Sequence, residues 1–225
     1  MFASHWQPGR VKPRLARSLG ESHAAMLHGL FVLALVERFA NMANRRQIAF
    51  APADCERAFA CVVKGRWELV PQSDDELGQR IRHFFDETLR QAERIVLIGS
   101  DCPDLPREFL DEAFAALDNH DVVLGPFANG GCYLIGARCR VPPIIEDIAW
   151  SATDVWTSVT KRLQSTGIAW HELPQWYDVD EEVGLRALAG RLHSAADLEP
   201  RLAQLRRELN TLLGPDLRRP TKSHQ

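Results

Sequence analysis

The feature that most constrains the fold is an alternation of short apolar segments with longer amphipathic ones. The run IVLI at 95–98 lies between Arg94 and Gly99, which is the pattern of a strand buried on both faces. Apolar residues at helical spacing precede it at 75–92 and follow it at 106–118. Chains that alternate strands and helices in this way fold as α/β proteins. We therefore expect a three-layer α/β/α sandwich around a mostly parallel sheet.

The same periodicities predict the other elements. Further helices are expected at 22–42, 53–63, 151–166, 181–191 and 196–213, and Ser22 is expected to cap the first of them. Further strands are expected at 46–51, 67–71, 122–125, 132–136 and 168–173. Residues 1–3 are expected to form the stub of a central strand. We expect residues 1–213 to form one domain and the basic segment 214–225 to be disordered.

Composition excludes several classes of protein. The 225 residues are 45% hydrophobic and 25% charged, as in ordinary globular domains. No apolar run reaches the roughly 18 residues of a membrane span, and no signal peptide opens the chain, so we expect a cytoplasmic location. The net charge is −3 and the acidic residues lie in the middle of the chain, which argues against nucleic-acid binding. Five cysteines without a C-x-x-C pair argue against a zinc site or a disulfide framework.

The first candidate site is the basic loop near the start of the chain. Sheets of this type bind ligands beyond the carboxyl ends of their strands, so the loops after residues 3, 98, 125 and 173 are the places of interest. A Pro-Gly turn at Gly9 precedes Lys12 and Arg14. Glycine lets backbone amides approach an anion, which the two cations would neutralise. Pro13 favours an extended backbone that points both side chains to one side. The alternative is a solvated basic loop.

Two acidic segments follow predicted strands. In the segment GSDCPDL at 99–105, Asp101 lies at a strand end, where a carboxylate can hold Mg²⁺ together with substrate phosphates. Asp104 is expected to cap the helix that begins near 106. In the segment YDVDEE at 177–182, one aspartate is expected to cap a helix and the other to face the site. Alone, the second segment is equally typical of an ordinary acidic loop.

Two further segments have simple structural interpretations. The segment FANGG at 127–131 lies between two apolar runs, which predicts a tight turn. Its paired glycines would also let a bulky ligand lie against the backbone. The segment QSDDELGQR at 72–80 supplies acidic residues to the first turn of a helix. The chain contains no Walker A, G-x-G-x-x-G or G-x-S-x-G motif.

Together, these segments resemble one bacterial family. The segments 2–15, 72–80, 99–105, 124–136, 150–153 and 178–185 match, in order, the motifs of glycosyltransferase-like proteins associated with radical-SAM and selenium-related operons. The resemblance implies the GT-A fold of nucleotide-diphospho-sugar transferases. The chain departs from the family pattern at Ser4, Pro13, Asn129 and Cys132, where the pattern has Lys, Thr, Asp and Tyr.

The resemblance also implies roles for individual residues. Lys12 and Arg14 would bind nucleotide phosphates on the loop that contains Gly9, and Asp101 would hold the metal that bridges those phosphates. Asp180 would complete the metal site, which would take Mg²⁺ or Mn²⁺. The remaining nucleotide, sugar or acceptor contacts would come from five residues: Gln72, Arg80, Asn129, Gly130 and Gly131.

The function implied is that of a metal-dependent transferase with a nucleotide-sugar donor and an unidentified acceptor. Catalysis would rest on Asp101, Lys12 and Arg14, which stabilise charge on a departing phosphate. A nucleotidyltransferase that releases pyrophosphate is an alternative. Because the chain departs from the family pattern, a catalytically impaired nucleotide-binding module is a second alternative. The sequence does not specify the base, the sugar, the acceptor or the oligomeric state.

Overall fold

A computed structural model of the protein describes residues 1–138, 148–150 and 154–214. Within these ranges the chain forms seven strands and eight α-helices. The strands are β1 (Phe2–Ser4), β2 (Gln47–Ala51), β3 (Glu68–Pro71), β4 (Arg94–Ile98), β5 (Val122–Pro126), β6 (Cys132–Arg138) and β7 (Trp170–Glu172). The helices are α1 (Pro13–Leu19), α2 (Glu21–Arg38), α3 (Glu56–Val63), α4 (Leu77–Thr88), α5 (Arg107–Ala116), α6 (Val155–Thr166), α7 (Glu182–Ser194) and α8 (Pro200–Leu213).

Within the described ranges, the strands form two hydrogen-bonded sheets. In the first sheet the strands pair in the order β1-β2-β3 and are parallel, and the second sheet has the order β4-β6-β5-β7. In the second sheet β5 and β7 are parallel, whereas β6 is antiparallel to both β4 and β5. A tight turn joins β5 to β6, and a turn of this length reverses the chain direction. The expected α/β fold is confirmed, with β6 as the antiparallel strand.

The three-residue strand predicted at the start of the chain is present, but among the described residues it lies at the edge of its sheet and is not a central strand. β1 is three residues long and pairs with β2, where Phe2 lies opposite Ala49. Among the described residues, no ladder links β1 to β4. Phe2 of β1 and Leu97 and Ile98 of β4 line a cavity beside these two strands.

The core lies on both faces of the strands, which explains the layered architecture. Successive residues of β4 belong to different clusters, because neighbouring side chains of a strand point to opposite faces. Ile98 packs in the cluster of α2, α3 and α5, whereas Leu97 packs with α4 and α6. A third cluster joins α1 and α2 to α7 and α8 through Phe31, Leu188 and Leu205. Phe31 of this cluster also contacts the Lys12 side chain, with Nζ 5.8 Å from the centroid of the Phe31 ring.

Several predicted helix ends are wrong. Helix α2 begins at Glu21 and its N-cap is Gly20, so Ser22 is a helical residue and not the cap. Asp104 does not cap α5, whose N-cap is Pro106. Its carboxylate instead accepts hydrogen bonds from Arg191, with Nε to Oδ2 at 2.6 Å. The predicted helix 53–63 is a short 3₁₀ turn, Ala53–Cys55, followed by α3.

Further findings concern the cysteines and the helices of the described residues. Cys55, Cys61, Cys102 and Cys132 are free thiols. None of the described helices combines the length and the apolar character of a membrane span. The fifth cysteine, the last three residues of the motif at 150–153 and the tail from 215 onward lie outside the described part of the chain.

Candidate functional site

Three loops meet beside the cavity that separates β1 from β4. They follow β1, β4 and β7, and they carry Lys12, Asp101 and Asp180. The amide of Val179 donates a hydrogen bond to the carbonyl oxygen of Asp101 over 2.9 Å, which ties the second and third loops together. The cavity has a volume of about 430 Å³, and all three side chains line it. The predicted convergence of the basic loop with both acidic loops is therefore present in the fold.

The ammonium group of Lys12 lies at the centre of this site. Only 3% of the side chain is exposed. Its Nζ atom donates to Oδ1 of Asp101, to the carbonyl oxygen of Val179 at 2.9 Å and to Oδ1 of Asp180 at 3.4 Å. The carboxylates are far more accessible, with 44% of the Asp101 side chain and 37% of the Asp180 side chain exposed. A buried cation thus holds two carboxylates that face the open cavity.

The charges in this group stabilise one another. Burial would lower the pKa of Lys12, but the carboxylates of Asp101 and Asp180 outweigh burial and hold the pKa above its ordinary value. Burial would likewise raise the pKa of Asp101, but the Lys12 ammonium outweighs it and holds the pKa below its ordinary value. Both groups are therefore charged throughout the neutral pH range.

The predicted extended pair of Lys12 and Arg14 is wrong. Lys12 has φ 50° and ψ 52°, in the left-handed region, and it is the N-cap of α1. Proline is favoured in the first turn of a helix, so Pro13 begins α1 instead of extending the loop. Arg14 is consequently a helical residue with 52% of its side chain exposed, 3.9 Å from Asp180 and 3.6 Å from Glu181. Lys12 points into the cavity, and Arg14 lies outside the set of described residues that line it.

The turn between β5 and β6 contacts the third loop through Asn129. Its Nδ2 donates to Oδ2 of Asp178 over 2.8 Å, and its Oδ1 accepts from the amide of Gly131 over 3.2 Å. Burial, and then the charge of Asp180, raises the pKa of Asp178 above its ordinary value. Gly131 lines the cavity, whereas Asn129 and Gly130 lie outside the described lining residues. Neither Asp178 nor Asp180 caps α7, whose N-cap is Glu181.

Gln72 and Arg80 lie together at another part of the cavity wall. Gln72 donates through Nε2 to the carbonyl oxygen of Ala49 over 2.6 Å and accepts from Nη1 of Arg80 over 2.9 Å. The Nε atom of Arg80 and the neighbouring Oγ of Ser73 are buried and have no hydrogen-bond partner among the described residues. Gln72 and Arg80 both line the cavity, and their contact with a ligand stays a prediction.

Gly9 has a structural explanation for its conformation. Its φ of 76° is one that residues with a side chain rarely adopt, and a Cβ placed there would lie 3.1 Å from Oε2 of Glu21. Gly9 lies outside the described lining residues of the cavity. It therefore shapes the turn that brings Arg10 and Lys12 to the cavity, and its own backbone faces a carboxylate.

Sequence reasoning missed two basic residues among the described lining residues of the cavity, Arg10 and His28. His28 is 3% exposed, and its Nε2 lies 3.0 Å from the carbonyl oxygen of Ser4, so that nitrogen carries the proton. Burial, and then the Lys12 ammonium, lowers the pKa of His28. The available signal was a histidine on the otherwise apolar face of α2. Arg10 lies one residue after the turn at Gly9 and was overlooked in favour of Arg14.

The residues present fit a hard divalent cation. Asp101 and Asp180 already converge on one cation, the Lys12 ammonium, and carboxylate oxygens are the ligands that Mg²⁺ and Mn²⁺ prefer. Within the described ranges, no cluster of three or more His, Cys, Asp or Glu side chains is arranged to hold a metal. The fit therefore rests on two protein carboxylates, as is usual for magnesium that also binds substrate phosphates.

Comparison with solved structures supports this fold. The chain is 30% identical to a candidate nucleotide-diphospho-sugar transferase from Desulfovibrio desulfuricans G20, with 94% of each chain covered and a TM-score of 0.87. An inositol-1-phosphate CTP transferase from T. maritima is 12% identical, with a TM-score of 0.50 over 93% of this chain and 95% of its own. Rv0371c from Mycobacterium tuberculosis H37Rv is 18% identical, with a TM-score of 0.50 over 83% and 95%. The last two similarities show the fold alone.

Comparison with protein families identifies the group of proteins to which the chain is related. No curated protein matches the chain. One family model matches residues 35–152, which include β2 to β6 and the loop of Asp101. Its description is "Uncharacterized protein conserved in bacteria", and the chain belongs to this family, DUF2064.

Proposed function

We propose that the protein is a metal-dependent transferase that binds a nucleotide sugar at the cavity beside β1 and β4. The observation that carries this proposal is the convergence of Lys12, Asp101 and Asp180 from three separate loops. The description of the Desulfovibrio desulfuricans relative as a candidate nucleotide-diphospho-sugar transferase supports it. Mg²⁺ or Mn²⁺ is the proposed cofactor, with Asp101 and Asp180 as its ligands.

The proposed chemistry requires no nucleophile from the protein. A hydroxyl group of the acceptor attacks the donor. The leaving group ends in a phosphate, whose negative charge grows as the bond between it and the transferred group breaks. A divalent cation held by Asp101 and Asp180 would neutralise part of that charge. Lys12 and Arg10 line the same cavity and would bind the phosphate oxygens directly, with Arg14 at the rim. Gln72 and Arg80 would bind the nucleoside end.

Two reactions fit this arrangement. A glycosyltransferase breaks the anomeric C–O bond of the donor and releases a nucleoside diphosphate. In a nucleotidyltransferase reaction, an oxygen atom of the acceptor attacks the α-phosphorus of a nucleoside triphosphate, and pyrophosphate leaves. We favour the first because the Desulfovibrio desulfuricans relative, at 30% identity, is described as a nucleotide-sugar enzyme. A nucleotide-binding module without catalysis is the remaining alternative.

A thermal-shift panel tests this function. It would contain UDP, GDP, CDP and dTDP, the common nucleotide sugars of these four diphosphates and the corresponding nucleoside triphosphates. Each compound would be tested with Mg²⁺, with Mn²⁺ and with EDTA. A ligand at one hundred times its Kd stabilises the folded state by about 2.7 kcal/mol, which raises Tm measurably. We expect one base to stand out and its effect to require the divalent cation.

Product analysis then separates the alternatives. With the preferred nucleotide, release of a diphosphate indicates glycosyl transfer, release of pyrophosphate indicates nucleotidyl transfer, and release of neither indicates a binding module. A panel in which no nucleotide changes Tm would contradict the proposed function.

A further inference from the structure

Lys12 occupies the position between two carboxylates that a divalent cation would need. Its ammonium donates to both Asp101 and Asp180 and is also held by the carbonyl oxygen of Val179. With 3% of the side chain exposed, the ammonium is shielded from water, while both carboxylates face the cavity. The oxygen atoms that face the ammonium are therefore engaged before any ligand arrives.

Electrostatics makes the two cations competitors. Two like charges a few ångströms apart repel strongly at a partly buried site, where the effective dielectric constant is far below that of water. A divalent cation bound to Asp101 and Asp180 would lie close to Nζ of Lys12 if that group stayed in place. The same carboxylate oxygens would also have to serve both cations.

We propose that Lys12 is an internal counter-cation that a divalent cation must displace, an inference that rests on the proposed function. Lysine is suited to this role because its ammonium sits on a flexible stem of four carbons, which can turn without moving the backbone. The displaced ammonium stays within the same cavity, which Arg10 also lines. There it gains a new partner only when an anion such as a phosphate is present.

This competition predicts coupled binding. A metal that enters alone must leave the Lys12 ammonium without its carboxylate partners, so its affinity is low. A phosphate that pairs with the displaced ammonium removes that penalty, so metal and nucleotide strengthen each other's binding by the same factor. Lys12 would therefore keep the site from binding metal tightly when no substrate is present.

The first test is a titration of the protein with Mn²⁺ alone, in which electron paramagnetic resonance measures the concentration of free Mn²⁺. We expect Lys12→Met, which removes the charge and keeps much of the length, to bind Mn²⁺ about tenfold or more tightly than wild type. Arg17→Met is the control, since it removes one positive charge from exposed α1 and should change the affinity little. Equal affinity of Lys12→Met and wild type would contradict the proposal.

Lysine labelling of the wild-type protein is the second test and needs no variant. Acetic anhydride should modify Lys12 about tenfold or more slowly than the exposed Lys64 and Lys161, because its ammonium is buried and paired. Saturating Mg²⁺ should accelerate labelling of Lys12 and leave the two reference lysines unchanged. Continued protection of Lys12 in a protein that demonstrably binds the metal would show that the cation binds beside Lys12 and not in its place.

Mn²⁺ binding also distinguishes failure of the proposed function from failure of the Lys12 proposal alone. If neither wild type nor Lys12→Met binds Mn²⁺, the site takes no divalent cation and both proposals are wrong. If both bind with equal affinity and Asp101→Asn abolishes binding, the metal site stands and only the displacement is wrong. Binding by Lys12→Met together with weak binding by wild type supports both.

Discussion

Asp178 is a carboxylate that the folded protein holds in an unfavourable electrostatic setting. It lies two residues before Asp180 and near Asp101, and it is partly removed from water. Burial, and then the charge of Asp180, raises its pKa above the ordinary value of 3.8. The positive charge of Lys12 offsets only part of this rise in pKa. Oδ2 of Asp178 also accepts a hydrogen bond from Nδ2 of Asn129 over 2.8 Å. Crowded carboxylates of this kind are typical of sites that bind cations.

We predict that Asp178→Asn raises the stability of the ligand-free protein at pH 7. A carboxyl group with a raised folded-state pKa takes up its proton more readily in the folded than in the unfolded state. Its ionised form therefore destabilises the fold above the folded pKa, and this effect disappears as the pH falls below 3.8. Thermal unfolding of both proteins between pH 3 and 8 checks this. A gain in Tm that does not shrink toward low pH would contradict the electrostatic explanation.

At the residue scale, the sequence predicts which groups meet but not how each is held. Asp101 and Asp180 were identifiable because each follows a strand, and strand ends in such sheets meet at one edge. The left-handed conformation of Lys12 was not identifiable, because a proline after it disfavours only the right-handed helical region. The burial of Lys12 depends on Asp101 and Val179, which are 89 and 167 residues away along the chain.

At the scale of elements, the hairpin of β5 and β6 depends on one glycine. A Cβ at Gly125 would lie 2.3 Å from Cζ of Tyr133. The Tyr133 ring is 1% exposed, and its hydroxyl group donates to the carbonyl oxygen of Pro174 over 2.8 Å. The ring therefore fits against bare backbone and is anchored on its far side. This contact fixes the β5–β6 hairpin against the segment that leads to Asp178 and Asp180.

We predict that Gly125→Ala destabilises the protein by about 3 kcal/mol, because neither the buried ring nor the strand can move away easily. The corresponding fall in Tm is about 10 °C for a chain of this size. Differential scanning calorimetry measures it. If Tm stays within a few degrees of wild type, the packing of Tyr133 on Gly125 is looser than the structure indicates.

Gly190 provides the matched control and a prediction of opposite sign. It lies in the middle of α7, and a Cβ placed there meets nothing within 4 Å. Alanine loses less conformational entropy than glycine when a helix forms, so Gly190→Ala should stabilise the protein by up to about 1 kcal/mol. The same calorimetry measures both variants. If Gly190→Ala instead lowers Tm, the space around Gly190 on α7 is not as open as the structure indicates.

Element types were more predictable than element ends. Each predicted strand and helix has a counterpart wherever the chain is described, because hydrophobic periodicity reports which face is buried. The caps were not predictable, since Asp104 pairs with Arg191 on α7 and Gly20 ends one helix and begins the next. The antiparallel direction of β6 follows from the tight turn at 127–131, which the sequence did show.

For the whole molecule, the separation of β1 from β4 creates the cavity on which the function depends. Both sheets pack against the same two core layers. However, β1 is only three residues long and, among the described residues, does not pair with β4. The charged groups Lys12, Asp101 and Asp180 lie at this opening. The sequence predicted the short strand, and the structure places a cavity beside it, next to the charged loops.

We propose that Asp101 and its partners bind a nucleotide together with a divalent cation. Isothermal titration of the nucleoside diphosphate selected by the thermal-shift panel, into wild type and into Asp101→Asn, each with Mg²⁺ and with EDTA, tests it most directly. We predict that EDTA and Asp101→Asn each weaken binding by about tenfold or more, the equivalent of one charge-assisted contact. We also predict that EDTA has little further effect on the variant. An Asp101→Asn protein that folds normally and binds the nucleotide as tightly as wild type, with the same dependence on Mg²⁺, would contradict the proposed function.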